Sequence, residues 1–495
     1  MKKQPHFYLR AMLATLFVVT MALPAVTLTG SAKQSDPCPG CGPMGQGWPM
    51  FHHDQAHTGV TNCIQAPVTN HLLWSYEAGG SVLSSPAVSN GRVYCASYED
   101  STVFCLNESS GAFVWKFSAS DWIPYSSPAI SGDKVYIGSR DKNVYCLNAS
   151  TGEKLWSFTT GGMIYSSPTI VKNRLYIGSS DNKLYCLNAT SGNPLWNYST
   201  TSFVWCSPAV ADNKVYVGSM DAKMYCLNAT SGEPLWNFTT GMIIYSSPVI
   251  EHHRVYFGSW DHSVYCLDAD NGTKIWSRDI GSGSLGAIFS TPAVLDGRVY
   301  IGVDWMPQGG FFCLNASDGT ILWNRTLNGA VYASPAIADH KVYVGTCQDH
   351  AFYCFDTQNG TQLWSYTGGD YFASSPAIAN GKVFVGSNDH HLYCFAPAYQ
   401  ICQVRGGLLK TTAWVKNNGP DNLTVNYTIS LTGGFILLGK TTSGAISIRP
   451  YSVGSIRSQA IVGFGRPTIT YTVGNVTATA KAHVFLFYVD VHQKG

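Results

Sequence analysis

Charge is scarce in this chain. Only 12% of its 495 residues are Asp, Glu, Lys or Arg, and the formal balance is +2. That excludes a basic nucleic-acid-binding surface and a charge-swollen disordered chain, both of which need a dense excess of one sign. Long hydrophobic runs are also missing beyond the N-terminus, so no later segment is long and apolar enough to span a bilayer. No two cysteines are adjacent, and neither a Ser-centred nucleophile elbow nor an HExxH helix appears, which counts against common hydrolases and zinc proteases.

What is present is repetition. Residues 185–196 read YCLNATSGNPLW, with near-copies at 145–156, 225–236 and 265–276. The repeat tryptophans are Trp74, Trp115, Trp156, Trp196, Trp236, Trp276, Trp323 and Trp364, almost all 40 or 41 residues apart. A period near 40 with about four short strands per unit is that of a β-propeller blade. The fold class is therefore all-β, an eight-bladed propeller, with the tryptophans as docking residues. Each unit opens with Ser-Pro or Thr-Pro, but Trp74 precedes the first unit and the last ends at Phe395 without a tryptophan. Residues 72–76 are thus expected to supply the outer strand of the final blade and close the ring.

At the N-terminus, Lys2, Lys3 and Arg10 precede an apolar run and a small-residue stretch, Gly30-Ser31-Ala32. This reads as a signal peptide over residues 1–32, preferred to an uncleaved anchor, and places the protein as secreted or at the cell surface. A linker at 33–47, the propeller at 48–397 and a second β-domain at 398–495 complete the expected organisation. Export makes the sequons at Asn107, Asn148, Asn188, Asn228 and Asn315 glycosylation candidates, although Asn is also good turn chemistry there.

The chain holds 15 cysteines, eight of them at one equivalent strand position per blade. Equivalent positions diverge radially beyond bridging distance, so these read as small buried apolar residues. Cys38, Cys41, Cys63 and Cys402 lie outside the regular blades and are the disulfide candidates. Between linker and blades, His52, His53, Asp54 and His57 are clustered without a recognised zinc spacing. The segment is expected to wrap the propeller rim with Trp48 and Phe51 packed, a packing role preferred to metal binding.

Loops entering the first strand place an aromatic three residues before proline, at Tyr125, Tyr165, Trp205, Tyr245, Phe289 and Tyr332, with Phe372 beside the same position in the last blade. Turns on the same face carry Asp261-His262, Asp349-His350 and Asp389-His390, and the irregular sixth unit adds Asp304 and Trp305. A mouth ringed by aromatics and carboxylates suits stacking against a sugar, a flat cofactor or an extended peptide. The competing reading is turn chemistry for Asp and inter-blade packing for the rings. No catalytic residue is singled out.

The units resemble the pyrroloquinoline quinone (PQQ) repeat, whose docking motif runs from an Ala/Asn-rich turn through Gly to Trp. That family includes PQQ-dependent alcohol and sugar dehydrogenases and non-catalytic, BamB-like scaffolds. The alcohol dehydrogenases carry a vicinal Cys-Cys and long insertions between blades; this sequence has neither. The resemblance implies the propeller fold. It also implies a non-catalytic binding or scaffold role for an extracellular glycan, peptide or surface protein, with no cofactor. The alternative it implies is a PQQ- and calcium-dependent dehydrogenase. A monomeric propeller is expected, with no nucleic-acid partner and no transmembrane span after signal removal. Residues 398–495 alternate in strand fashion and resemble CARDB-type, immunoglobulin-like β-sandwich modules.

Overall fold

The computed structural model describes residues 47–493 apart from 62–65, 68, 124, 282–285, 306–307, 406, 409, 420–421, 451, 475 and 487. The chain divides into two units, Met1–Asp36 and Pro37–Gly495; every described residue belongs to the second. The expected signal peptide, together with Cys38, Cys41 and Cys63, lies outside the described residues, as does the side chain of Cys402. No described helix is long and apolar enough to cross a membrane.

Among the described residues, eight four-stranded antiparallel sheets follow one another along the chain. One unit is Thr169–Val171, Arg174–Ser179, Lys183–Asn188 and Pro194–Ser199, paired in that order. The two middle strands, Arg174–Ser179 and Lys183–Asn188, are buried on both faces and need β-branched and aromatic residues on each, which LYIGS- and LYCLN-type runs supply. The outermost strand is half exposed. Innermost strands of successive sheets lie side by side, and the strand of the eighth, Ala377–Ala379, neighbours that of the first, Ala87–Ser89. The ring is therefore closed. Leu72–Glu77 pairs with His391–Phe395 and becomes the outer strand of the eighth sheet, with Trp74 opposite Cys394.

Docking between blades has one recurring geometry. Tyr176, Cys186 and Trp196 lie in register across three strands of one blade. Trp196 Nε1 and the Tyr176 hydroxyl both donate to the Ala229 carbonyl in the next blade. All eight repeat tryptophans make this contact at 3.0–3.4 Å, Trp364 to Pro67 and Trp74 to Glu108 across the closure. The following glycine, Gly232, has φ +76, and a Cβ there would sit 2.6 Å from the Trp196 ring. Glycine is thus required both for its left-handed backbone and for ring contact. The eight in-register cysteines are buried free thiols. Burial pushes Cys146, Cys226 and Cys266 up to about 12, which leaves them protonated at neutral pH.

The sequon side chains also have structural work. Asn148 Oδ1 accepts the Ser150 and Thr151 amides, and Asn188 Oδ1 those of Thr190 and Ser191, in the turn that presents the docking carbonyl. The described residues of 399–493 form two further β-sheets outside the ring. A three-stranded sheet of Tyr399–Arg405, Thr412–Asn417 and Val453–Arg457 faces a larger sheet that includes Leu423–Thr432, Thr468–Val473 and Val476–Leu486. Ile401, Val415 and Ile456 from the first meet Ile429, Tyr471 and Val484 from the second in one core.

Candidate binding face at the mouth of the ring

Each loop into an innermost strand buries an Ile, Val or Phe and follows it with a residue on the ring axis, directly or, in the second blade, after Pro124. Ile123, Ile164, Val204 and Ile244 are the buried members in the second to fifth blades. The next residues, Tyr125, Tyr165, Trp205, Tyr245, Phe289 and Tyr332, gather around the axial channel. Successive centroids lie 6.4, 4.9, 5.9, 5.2 and 4.8 Å apart, tilted or edge-to-face, an arrangement the ring quadrupoles favour. The other two axial positions are Leu83 and Ala373, so the aromatic collar is a crescent with one open side. Phe372 does not join it. It takes the buried position of its loop and packs on Phe352 and Tyr393, because the axial residue there is Ala373.

Exposed side chains of the same loops, Tyr125 of the collar among them, extend the crescent onto the surface. Trp122, Tyr125, Met163, Phe203 and Met242 are exposed large apolar side chains on the loops of the second to fifth blades. The Arg140 guanidinium lies 4.7 Å from the Trp122 ring centroid, a cation–π contact at the edge of this surface.

The predicted carboxylates serve the blades instead. Asp261, Asp349 and Asp389 accept the hydroxyls of Tyr265, Tyr353 and Tyr393 at 2.6–2.7 Å. Asp261 and Asp389 also accept the amides of Gly241 and Gly369 from the preceding loop. His262, His350 and His390 sit at φ +71, +53 and +72, the left-handed position of these tight turns. Other blades put Lys142, Asn182 or Ala222 there. His262 Nδ1 meets the Gly286 carbonyl, His350 packs on Tyr371, and His390 is exposed. Asp304 is buried and accepts the Tyr332 hydroxyl, while Trp305 packs edge-on against Phe312. The two strands of that irregular unit, Arg298–Trp305 and Gln308–Asn315, are simply longer. These histidines come from separate turns, and no group of three or more His, Cys, Asp or Glu able to hold a metal occurs among the described residues.

Two features escaped the sequence reading. Below the collar, hydroxyls form a complete ring. The Ser85 amide donates to Ser127 Oγ, Ser127 to Ser167, then through Ser207, Ser247, Thr291, Ser334 and Ser375 back to Ser85, at 2.9–3.3 Å. The Ser-Pro and Thr-Pro signals marked these residues as strand starts; their convergence depends on ring closure. The second feature is a foot. Residues 47–61 cross the innermost strands around the axis and not the outer rim. Trp48 exchanges amide bonds with Val88, and Pro49, Gln55, Ala56, Thr58 and Gly59 carbonyls accept amides from five further blades. Phe51 lines the channel from below.

His52 and His57 are buried in this foot as packing groups. His52 faces the His57 and Pro335 carbonyls, and His57 faces the Pro248 carbonyl and Thr169 Oγ1. Burial, reinforced by the neighbouring His52, pushes His57 down to about 3. Burial also lowers His52. Burial would raise Asp54, but hydrogen bonds from His53 and Thr58 outweigh it and hold the carboxyl at about 2.

The channel measures about 100 Å³, below the roughly 300–1,000 Å³ of small-molecule sites. Its lining contains neither carboxylate nor amide side chains. PQQ with calcium does not fit this lining, since the metal needs oxygen donors of that kind. Two nucleotide-like letter patterns also fail on context. Residues 434–441, GFILLGKT, match the phosphate-loop spacing, but their middle is the strand Phe435–Leu438 and the strand Thr441–Ile448 follows. Residues 281–286, GSGSLG, match a dinucleotide fingerprint, yet the next described element is the strand Ala293–Leu295. Neither leads into the helix N-terminus that gathers phosphate-binding amides.

A family model described as the β-propeller of beta-alanine-activating enzyme matches residues 206–455. One described as outer membrane protein assembly factor BamB matches 58–121 and 99–204. No curated protein matches the chain. Among solved structures, BamB from Moraxella catarrhalis superposes with a TM-score of 0.58 at 17% identity, covering 66% of this chain and 99% of that one. Quinohemoprotein alcohol dehydrogenase from Comamonas testosteroni reaches 0.61 at 15%, covering 72% and 82%. The computationally designed Ika8 protein reaches 0.58 at 18%, covering 66% and 99%. An assembly factor, an oxidoreductase and a designed protein share the architecture, so the likeness is one of fold. With its docked tryptophans, its closed ring of four-stranded sheets and these matches, the chain belongs to the PQQ-repeat β-propeller family.

Proposed function

We propose that this is a non-catalytic binding or scaffold protein that engages a glycan, peptide or protein partner through the aromatic crescent. The supporting observation is the set of exposed large apolar side chains on the loops around the collar, Trp122, Tyr125, Met163, Phe203, Met242 and Tyr371. Soluble proteins rarely expose contiguous apolar surface without a partner for it. The repeated Asp residues that would serve chemistry are engaged by tyrosine hydroxyls, which favours recognition over catalysis. The N-terminal Lys2, Lys3, Arg10 and apolar run, with the match to an outer membrane assembly factor, support an exported, periplasmic or surface-associated location. In this reading the second β-domain is an immunoglobulin-like module carried beside the ring, and the sequons are open to glycosylation.

Calorimetric titration with PQQ, with and without Ca²⁺, beside oligosaccharides and extended peptides, tests this. Saturable heat from a glycan or peptide, lost in Trp122→Ala and Phe203→Ala, is the expected result. Calcium-dependent PQQ binding would overturn it in favour of a dehydrogenase.

A further inference from the structure

The hydroxyl ring under the collar has unused chemistry. Each oxygen already accepts one amide hydrogen from the neighbouring blade, which leaves it an O–H to donate and one lone pair. Among the described residues none of these eight hydroxyls donates to a protein acceptor. All eight residues are more than nine-tenths buried, from Ser127 at 1% to Ser375 at 7% exposure. A buried donor left without an acceptor is costly, and here several converge on one narrow channel.

We propose that this ring binds a small monovalent anion, of halide or formate size, on the axis of the propeller. The lining carries no carboxylate and no ammonium group, so its polar field comes from the hydroxyls. A cation would use the one lone pair each oxygen keeps, but would leave unanswered the O–H groups, which have no protein acceptor among the described residues. Water accepts from at most two such donors and must place two protons of its own as well. An anion only accepts. The channel of about 100 Å³ admits an ion of this size while excluding a larger solute. The collar above removes competing solvent, which strengthens each hydroxyl contact. The gap at Leu83 and Ala373 is the way in.

Crystals of the full chain soaked in sodium bromide, with anomalous diffraction, should show a bromide peak on the axis at the level of the ring. In solution, bromide should raise the unfolding temperature saturably at constant ionic strength, with citrate inactive. Thr291→Val keeps the side-chain shape but removes one donor, together with the acceptor of the Ser247 amide, and should weaken bromide about tenfold. Ala373→Phe leaves every hydroxyl in place and adds the aromatic type that the second to seventh blades carry, so it should fold while blocking access and abolishing the peak. The proposal is overturned by an axis without anomalous density, by a peak from rubidium in place of bromide, or by undiminished bromide affinity in Thr291→Val. None of these readouts depends on the partner of the outer face.

Discussion

Gly192 shows how much one residue carries. It holds φ +76 and lies against Trp156, where a Cβ would come within 2.7 Å of the indole. Gly132 has a similar φ of +63 but open space around it. Gly132→Ala should therefore cost about 1 kcal/mol for the backbone alone. Gly192→Ala should cost about 2–4 kcal/mol, because the docking contact is pushed apart as well. Denaturant unfolding midpoints of the two variants separate these contributions. The buried histidines make a second residue-level prediction. The unfolded chain protonates His52 and His57 near 6.5, whereas the fold depresses both, His57 to about 3. Their contribution is present above pH 6.5 and falls as pH drops towards 3, by up to about 1.4 kcal/mol per pH unit for each histidine. Melting temperature against pH should decline through this window, and His57→Gln should flatten the slope.

At the level of elements, the seam between the eighth and first blades differs from the others. Turns elsewhere place Ala149, Ala189, Ala229 or Ala269 where the first blade has Glu108. Its carboxylate is buried and accepts Lys382 Nζ at 3.0 Å and Asn380 Nδ2 at 3.0 and 3.1 Å. Both charges are almost fully out of water, so breaking the pair strands one of them. Lys382→Met alone should destabilise by about 3–5 kcal/mol. Glu108→Ala with Lys382→Met should recover most of this, since the pair then becomes an ordinary apolar seam. A double-mutant cycle by thermal unfolding reads the coupling directly, and additivity of the two substitutions would refute it.

For the whole molecule, the second β-domain keeps its core to itself. Among the described residues its buried cluster runs from Tyr399 onward with Ala398 packed against it, while the ring is closed by Leu72–Glu77 within the propeller. Truncation after Pro397 should leave the propeller's unfolding transition and its docking tryptophan fluorescence in place. Loss of the cooperative transition on truncation would show that the two share their stability.

Much of this architecture was legible in the amino-acid order because it is local and repeated. The spacing of Trp156, Trp196 and Trp236, the Asn188–Gly192 turn and the stray strand around Trp74 all follow from neighbours in sequence. So do the free in-strand cysteines, because a register is a local property. The collar positions Tyr125 to Tyr332 were also readable, one per loop. What the sequence could not show is which repeated residue meets which around the axis. The tie of Asp261 to Tyr265, the inward turn of Ala373 in place of Phe372, the foot under the channel and the hydroxyl ring arise only when eight distant segments close a circle. Ring closure is a non-local event, and it decides which polar groups are satisfied by the next blade and which are left pointing at the axis.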